Sequence, residues 1–288
     1  MRPLIYAHRG SSGHFAEHTR AAYLQALADG VDGVECDLHL SSDQELVLLH
    51  DNTVDRTSNG SGPVASMTLA QLRELDFSAW KGAAVPAQFG GTAQQFLTLA
   101  ELLSILHAAG RELALAIEFK HPKGFDERLE ARTLQELRAA GWVPENSHLG
   151  NIRVSFMSFH PQSVKYLARS VPAGCLCQLL DDVESAALEA EAAADSEAGA
   201  ARAAKLRAVQ AEAERLLDAG EVGLAGPGVD YLRSHPDRVR SWLSAGSRLR
   251  VWTVDEPEDL QLCIELGVQE ITTNLPARIR GLLPVNCD

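Results

Sequence analysis

What most constrains the fold of this chain is its rhythm. Short β-rich apolar runs at 3–7, 33–38, 113–118, 151–156, 175–179, 221–225, 249–254 and 270–273 recur along its length. Helical patterns at 19–29, 98–109, 126–140, 161–169, 235–245, 257–266 and 276–283 lie between and after them. Such alternation predicts a parallel sheet, because parallel neighbours need a crossover helix. About eight strands in 288 residues predict an α/β fold closed as a (β/α)8 TIM barrel, one domain over 1–288. An open doubly wound sheet is the alternative. Thr19 is placed to cap the first helix, and Pro257 fits the first turn of a later one.

Two stretches break the rhythm. Residues 51–97 carry the turn-rich Thr57-Ser58-Asn59-Gly60-Ser61-Gly62-Pro63, a short helical pattern near 69–75 and Gly90-Gly91. That is too long for a plain connection and predicts a small subdomain inserted after the second strand, over the barrel mouth. Residues 183–218 are rich in Ala and Glu with little large apolar content before Leu206. They read as a solvated helical excursion, with a mobile segment near 193–200.

Ionisable residues sit inside or just after several apolar runs, where burial is costly unless they pair or bind something. Tyr6-Ala7-His8-Arg9-Gly10, Val34-Glu35-Cys36-Asp37-Leu38, Leu48-Leu49-His50-Asp51 and Ile117-Glu118-Phe119-Lys120 are the instances. On a strand, Glu35 and Asp37 share one face while Cys36 takes the other. Glu118 supplies a third carboxylate from another strand. Oxygen ligands without sulfur or a histidine trio favour a hard cation, Mg²⁺ or Ca²⁺, over zinc. His8 and His50 each close an apolar run near these acids and are suited to general acid–base work. His18 and His121 are neighbours of that region, and the remaining histidines read as ordinary. Arg9 and Lys120 supply what phosphodiester oxygens require. Together these residues point to cation-assisted phosphodiester cleavage.

Composition narrows the partners. A net charge of −13 argues against a nucleic-acid binder, although a small phosphate substrate depends on local charge. Cys36, Cys175, Cys177, Cys263 and Cys287 lack zinc-ligand spacing, and their odd number fits a reducing compartment. Cys175 and Cys177 read as core residues on one strand face. Met1 leads almost directly into the first strand, and no apolar run reaches membrane-span length. The expectation is a cytoplasmic protein without stable membrane insertion.

In order, these motifs resemble those of the glycerophosphodiester phosphodiesterase family over nearly the whole chain. His8-Arg9-Gly10 resembles its opening motif, and Ala16-Glu17-His18-Thr19 its Pro-Glu-Asn-Thr segment. Glu35-x-Asp37, His50-Asp51, Glu118-x-Lys120, Val251-Trp252-Thr253-Val254 and Thr272-Thr273-Asn274-x-Pro276 stand in the family's order. Asp55-Arg56-Thr57 and Gly60-x-Gly62 match its insertion. The resemblance implies a TIM barrel that hydrolyses small glycerophosphodiesters to an alcohol and sn-glycerol 3-phosphate. Glu35, Asp37 and Glu118 would hold the divalent cation, with Glu17 nearby. His8 and His50 would be acid and base, Arg9 and Lys120 would hold phosphate, and Trp252 would line the glycerol pocket with Phe156 beside the substrate. Ala16, His18 and Asn274 depart from the family's usual Pro, Asn and Asp. A lipid-directed phosphodiesterase of the lysophospholipase D or sphingomyelinase D kind shares the layout and is the alternative. A non-catalytic cation- or phosphate-binding barrel is a third reading.

Overall fold

The chain, represented by a computed structural model, is described for residues 2–121, 124–184, 187–188 and 197–283. Eight parallel strands close on themselves: β1 (Leu4–Ala7), β2 (Gly33–Leu40), β4 (Leu113–Phe119), β6 (Ile152–Ser158), β7 (Leu176–Leu180), β8 (Leu224–Pro227), β9 (Arg248–Val251) and β10 (Glu270–Thr273). Closure comes where β1 pairs with both β10 and β2, which rules out the open sheet. Two short strands, β3 (Leu46–Leu48) and β5 (His148–Leu149), pair antiparallel with β2 and β6.

Helices wrap the barrel in the expected places: α1 (Arg20–Ala28), α3 (Leu99–Ala108), α4 (Arg128–Ala139), α5 (Pro161–Leu167), α8 (Pro236–Ser244), α9 (Pro257–Leu266) and α10 (Pro276–Leu282). Thr19 caps α1 by accepting from the Ala22 amide, and Pro257 opens α9. Further helices among the described residues are α2 (Leu69–Arg73), α6 (Glu197–Asp218) and α7 (Val229–Ser234). Strand alternation sorts the two sides of the wall. Cys36, Ile117, Phe119 and Phe156 face the outer core under the helices. Tyr6, Ala114, Ala116, Met157, Cys177 and Leu224 fill the barrel interior.

The irregular stretches differ in character. After β3 the chain builds its own small core from Val54, Val64, Leu72, Phe77 and Phe96 packed on Val47 and Leu49. Phe77 and Phe96 stack at 4.5 Å there. The expected excursion is less solvated than its composition suggests. Ala213, Leu216 and Leu217 of α6 are buried in the main core, and Lys165 and Tyr231 bond Glu212 and Glu214. Residues 193–196 of the anticipated mobile segment, and Cys287, lie outside the described residues. The run at 221–225 pairs later than expected, as Leu224–Pro227, and Glu221 before it is exposed and bonded to Arg215. Cys175 ends a turn before β7, so only Cys177 lies in that strand.

Candidate active site

The barrel's C-terminal mouth gathers the ionisable residues, because each follows or ends a strand. Glu35 and Asp37 point inward from β2, beside Glu118 on β4, with Asp37 and Glu118 in register. One oxygen from each of these three carboxylates lies within 4.8 Å of the others. Lys120 continues the inward face of β4, and its Nζ stands 3.0 Å from Asp37 Oδ1 and 2.5 Å from Glu118 Oε1. Arg9 Nε lies 3.1 Å from Asp37 Oδ2, and the Arg9 amide donates to Glu35 Oε2 at 3.0 Å.

The turn after β1 makes this reach feasible. Arg9 has φ 58° and Gly10 φ 80°, so the chain doubles back immediately after His8. A Cβ on Gly10 would stand 2.6 Å from the Ala22 backbone, so glycine is needed for space as well as for conformation. His18 adopts φ 60°, a left-handed geometry that Asn and His tolerate better than most residues. Its ring then bridges Asp37 Oδ2 (2.8 Å) and the Tyr23 hydroxyl (2.9 Å). Glu17 is held at the mouth by Arg9 at 3.1 Å and by both terminal nitrogens of Arg56, at 2.9 and 2.7 Å.

Electrostatics follow from burial. Burial pushes the Glu35 carboxyl well above its usual range, and Asp37 and Glu118 push it further. Burial also lifts Glu118 to about 7, with Lys120 opposing and Asp37 adding. Burial works the same way on Asp37, but Lys120, His18 and Arg9 outweigh it and hold that carboxyl well below its usual range. Burial lowers His8 to about 3, aided by Arg9, and lowers His50 with help from Lys120. Both shifts favour neutral imidazoles. Each donates its Nδ1 proton to an acceptor, His8 to Asn274 Oδ1 (2.8 Å) and His50 to Asp51 Oδ1 (2.7 Å), which frees Nε2.

A divalent cation fits this cluster. Glu35 Oε1 is buried with no hydrogen-bond partner among the described residues, a costly condition that a cation removes. With all three carboxyls ionised, as a bound cation would hold them, they face two side-chain cations and leave one excess negative charge. A doubly charged ion would reverse that sign and suit an anionic phosphodiester. The donor set is all oxygen, as hard cations require.

His8, Arg9, His50, Glu118, Lys120 and Trp252 all line one cavity of about 140 Å³. The Trp252 indole donates to Gly226 O at 2.8 Å and meets Phe159 edge-on at 5.4 Å. Glu17 lies at the rim, bound to Arg9 and Arg56. Phe156 does not join them. It faces the outer core between Phe119 and Trp142, because β6 alternation turns 155, 157 and 159 inward. Phe159 takes the place expected for Phe156, with Met157, Leu179, Thr253 and Thr272 as further lining. Counting by twos from Ser155 would have found Phe159. A second groove of about 280 Å³ shares Glu118, Lys120 and Phe159 with this cavity and continues past His121, His160 and Val209. His121 is turned away from the acids by its bond to Glu130 at 2.7 Å.

Residues 8–278 match the Glycerophosphoryl diester phosphodiesterase family. A protein of Mycobacterium tuberculosis named probable glycerophosphodiester phosphodiesterase 1 is 35% identical over 281 residues, covering 98% of this chain and 92% of its own. A Bacillus subtilis glycerophosphodiester phosphodiesterase is 30% identical over 282 residues, covering 96% and 84%. Among solved structures, an Oleispira antarctica phosphodiesterase in complex with the product sn-glycerol-3-phosphate superposes with a TM-score of 0.73 at 22% identity. That superposition covers 98% of this chain and 96% of the other. A Thermotoga maritima glycerophosphodiester phosphodiesterase gives 0.69 at 17% identity, covering 98% and 99%.

Proposed function

Because this chain belongs to the glycerophosphoryl diester phosphodiesterase family, we propose that it is a cation-dependent enzyme working through His8 and His50. It hydrolyses small glycerophosphodiesters to an alcohol and sn-glycerol 3-phosphate, the product named in the Oleispira complex. The carrying observation is one small cavity lined by His8, His50, Arg9, Lys120 and Glu118, with Glu118 belonging to an acidic cluster whose Glu35 holds an orphaned oxygen. Glu35, Asp37 and Glu118 would hold the cation, with Glu17 at the rim; when bound, it supplies positive charge against the phosphoryl oxygens.

In this mechanism, Arg9 and Lys120 bind the phosphodiester, and Trp252 and Phe159 enclose its glycerol. One histidine takes a proton from the glycerol 2-hydroxyl through Nε2, and that oxygen attacks phosphorus. The other takes up a second proton at Nε2 once the anionic phosphodiester is bound and gives it to the departing alcohol, and water then opens the cyclic phosphate with the roles exchanged. Direct attack by water is the competing route, favoured if substrates lacking the 2-hydroxyl turn over normally. The inserted stretch 51–97 serves the mouth by placing Arg56 on Glu17 and Asp51.

A cavity near 140 Å³ is well below the ~300 Å³ at which pockets for drug-sized ligands begin, which favours glycerol over a lipid chain. The leaving alcohol is assigned to the adjoining groove. Among the described residues, no helix is long and apolar enough to cross a membrane.

The test is glycerol 3-phosphate release from glycerophosphocholine, glycerophosphoethanolamine and lysophosphatidylcholine with Mg²⁺, Ca²⁺ or EDTA. Release from the two soluble diesters that EDTA abolishes is expected. His8→Ala and His50→Ala should each lower kcat by about 100-fold or more while folding normally. Turnover unaffected by either substitution removes that histidine from the mechanism.

A further inference from the structure

The loops after β9 and β10 hold a short polar relay that ends on His8. Asp255 accepts from the Asn274 amide nitrogen Nδ2 at 2.6 Å and from the Asn274 backbone N–H at 2.8 Å. It also accepts from the Thr273 hydroxyl at 2.8 Å, so both carboxylate oxygens are engaged. Asn274 Oδ1 lies 2.8 Å from His8 Nδ1 and accepts from the Ser12 hydroxyl at 2.7 Å. The strands β9, β10 and β1 are neighbours in the barrel, so the relay runs across three adjacent strand ends.

The chemistry of these groups leaves one arrangement. A carboxylate only accepts, so the nitrogen of the Asn274 side chain must face Asp255. Turned over, its oxygen would confront Asp255 Oδ2 at 2.6 Å, acceptor against acceptor. With the nitrogen committed, the oxygen faces His8, and only a protonated Nδ1 can bond it. His8 is thereby fixed as the Nδ1–H tautomer with the Nε2 lone pair turned away from Asn274. His50 obtains the same state from Asp51 directly. For His8 the carboxylate stands one residue further back and works through an amide.

We propose that Asn274 and Asp255 are positioning residues for His8, with Asp255 orienting the Asn274 amide so that His8 presents Nε2 to the substrate. This rests on the reading of His8 as a proton-transfer group. It gives Asn274, a departure from the usual Asp of the resembling motif, a function in which its two-faced amide is needed. Asp at 274 with Asp255 retained would set two carboxylates against each other.

The test uses the full-length enzyme, glycerophosphocholine and Mg²⁺, with ¹⁵N-labelled histidine to observe the ring nitrogens of His8. In the wild type, Nδ1 is expected to be protonated and Nε2 bare. Asp255→Asn frees the amide to turn over, and Asn274→Ala removes the acceptor. Each should mix the His8 tautomers and lower kcat about ten-fold or more, with KM within about two-fold. The exchange D255N/N274D restores an acceptor at His8 and a donor behind it, and should recover most of the lost kcat. Asn274→Ala that folds and keeps wild-type kcat and an unchanged His8 tautomer overturns the proposal, as does an exchange variant no faster than the slower single. If His8→Ala is itself fully active, the reading of His8 has failed instead, and the two failures are distinguishable.

Discussion

Two charged clusters share the inside of this barrel, and they are built oppositely. Beneath the mouth, Arg250 on β9, which also lines the active-site cavity, grips Glu270 on β10 through Nε at 2.8 Å and Nη2 at 2.6 Å. Arg248 takes the other Glu270 oxygen at 2.8 Å, Ser155 meets Arg250 at 3.0 Å, and the guanidinium lies 4.4 Å over the Tyr6 ring. Both oxygens of that carboxylate are paired. At the mouth, Glu35, Asp37 and Glu118 face Arg9 and Lys120, and one Glu35 oxygen has no partner among the described residues. Burial alone therefore does not distinguish support from function. Completeness of pairing does: a cluster that answers all its own charges holds strands together, and one with charge left over is arranged for a ligand.

The largest expected effect comes from attacking the unbalanced cluster. Glu35→Gln keeps the shape of the side chain but removes the charge a cation needs. Turnover should fall on the order of a thousand-fold, equivalent to about 4 kcal/mol of transition-state stabilisation. Cation binding measured by calorimetry should weaken with it. In the presence of a chelator the same variant should unfold at a temperature no lower than the wild type, because two neighbouring carboxylates lose a repelling partner. A large loss of chelated stability would mean that Glu35 is a strut, and the contrast between the clusters would collapse.

The complementary change strikes the balanced cluster. Glu270→Gln leaves Arg250 buried without its counter-charge, and breaking such a pair costs about 3–5 kcal/mol. Denaturant unfolding should report that loss, while turnover per folded molecule should change far less than in Glu35→Gln. Should Glu270→Gln abolish catalysis at unchanged stability, the lower cluster would act in the chemistry rather than support it.

This contrast also marks what the sequence makes legible. Strand–helix alternation carries the barrel, and parity on β2 carries the shared inward face of Glu35 and Asp37 with Cys36 outside. Charged residues inside apolar runs flag Glu118 and Lys120, but by the same rule they flag Arg250 and Glu270 equally. Only cross-strand pairing tells the two sets apart, and pairing depends on neighbours some 20 or more residues away in sequence. Phe156 shows a motif position overriding parity, since the inward face of β6 leads to Phe159. Asn274 stands out in the sequence only as a departure from the resembling motif and Asp255 not at all, because their meaning lies in a hydrogen-bond direction across separate loops. Ala213, Leu216 and Leu217 are few against the Ala/Glu background of α6, so composition understates how firmly its last turns dock.

The smallest effect belongs to the outer rim of the mouth, where charged groups pair closely but stand half open to water. Arg56 ties Glu17 to Asp51 while 44% of its own side chain stays exposed. Burial opposes ionisation of Glu17, but the Arg56 hydrogen bonds prevail and bring it to about 2; Arg56 likewise holds Asp51 below its usual range. Both folded values lie below the unfolded ones, so the clasp contributes fully above about pH 4.5 and fades as pH falls towards 2. Solvent screening keeps the contribution near 1 kcal/mol. Arg56→Met should therefore lower unfolding free energy by about 1 kcal/mol at pH 7 and by progressively less below pH 4.5. High salt at pH 7 should narrow the gap as well. A penalty that ignores both pH and salt would trace to the contact of Arg56 with the Trp80 ring, 5.7 Å away, and the mouth would then be held by packing rather than by charge.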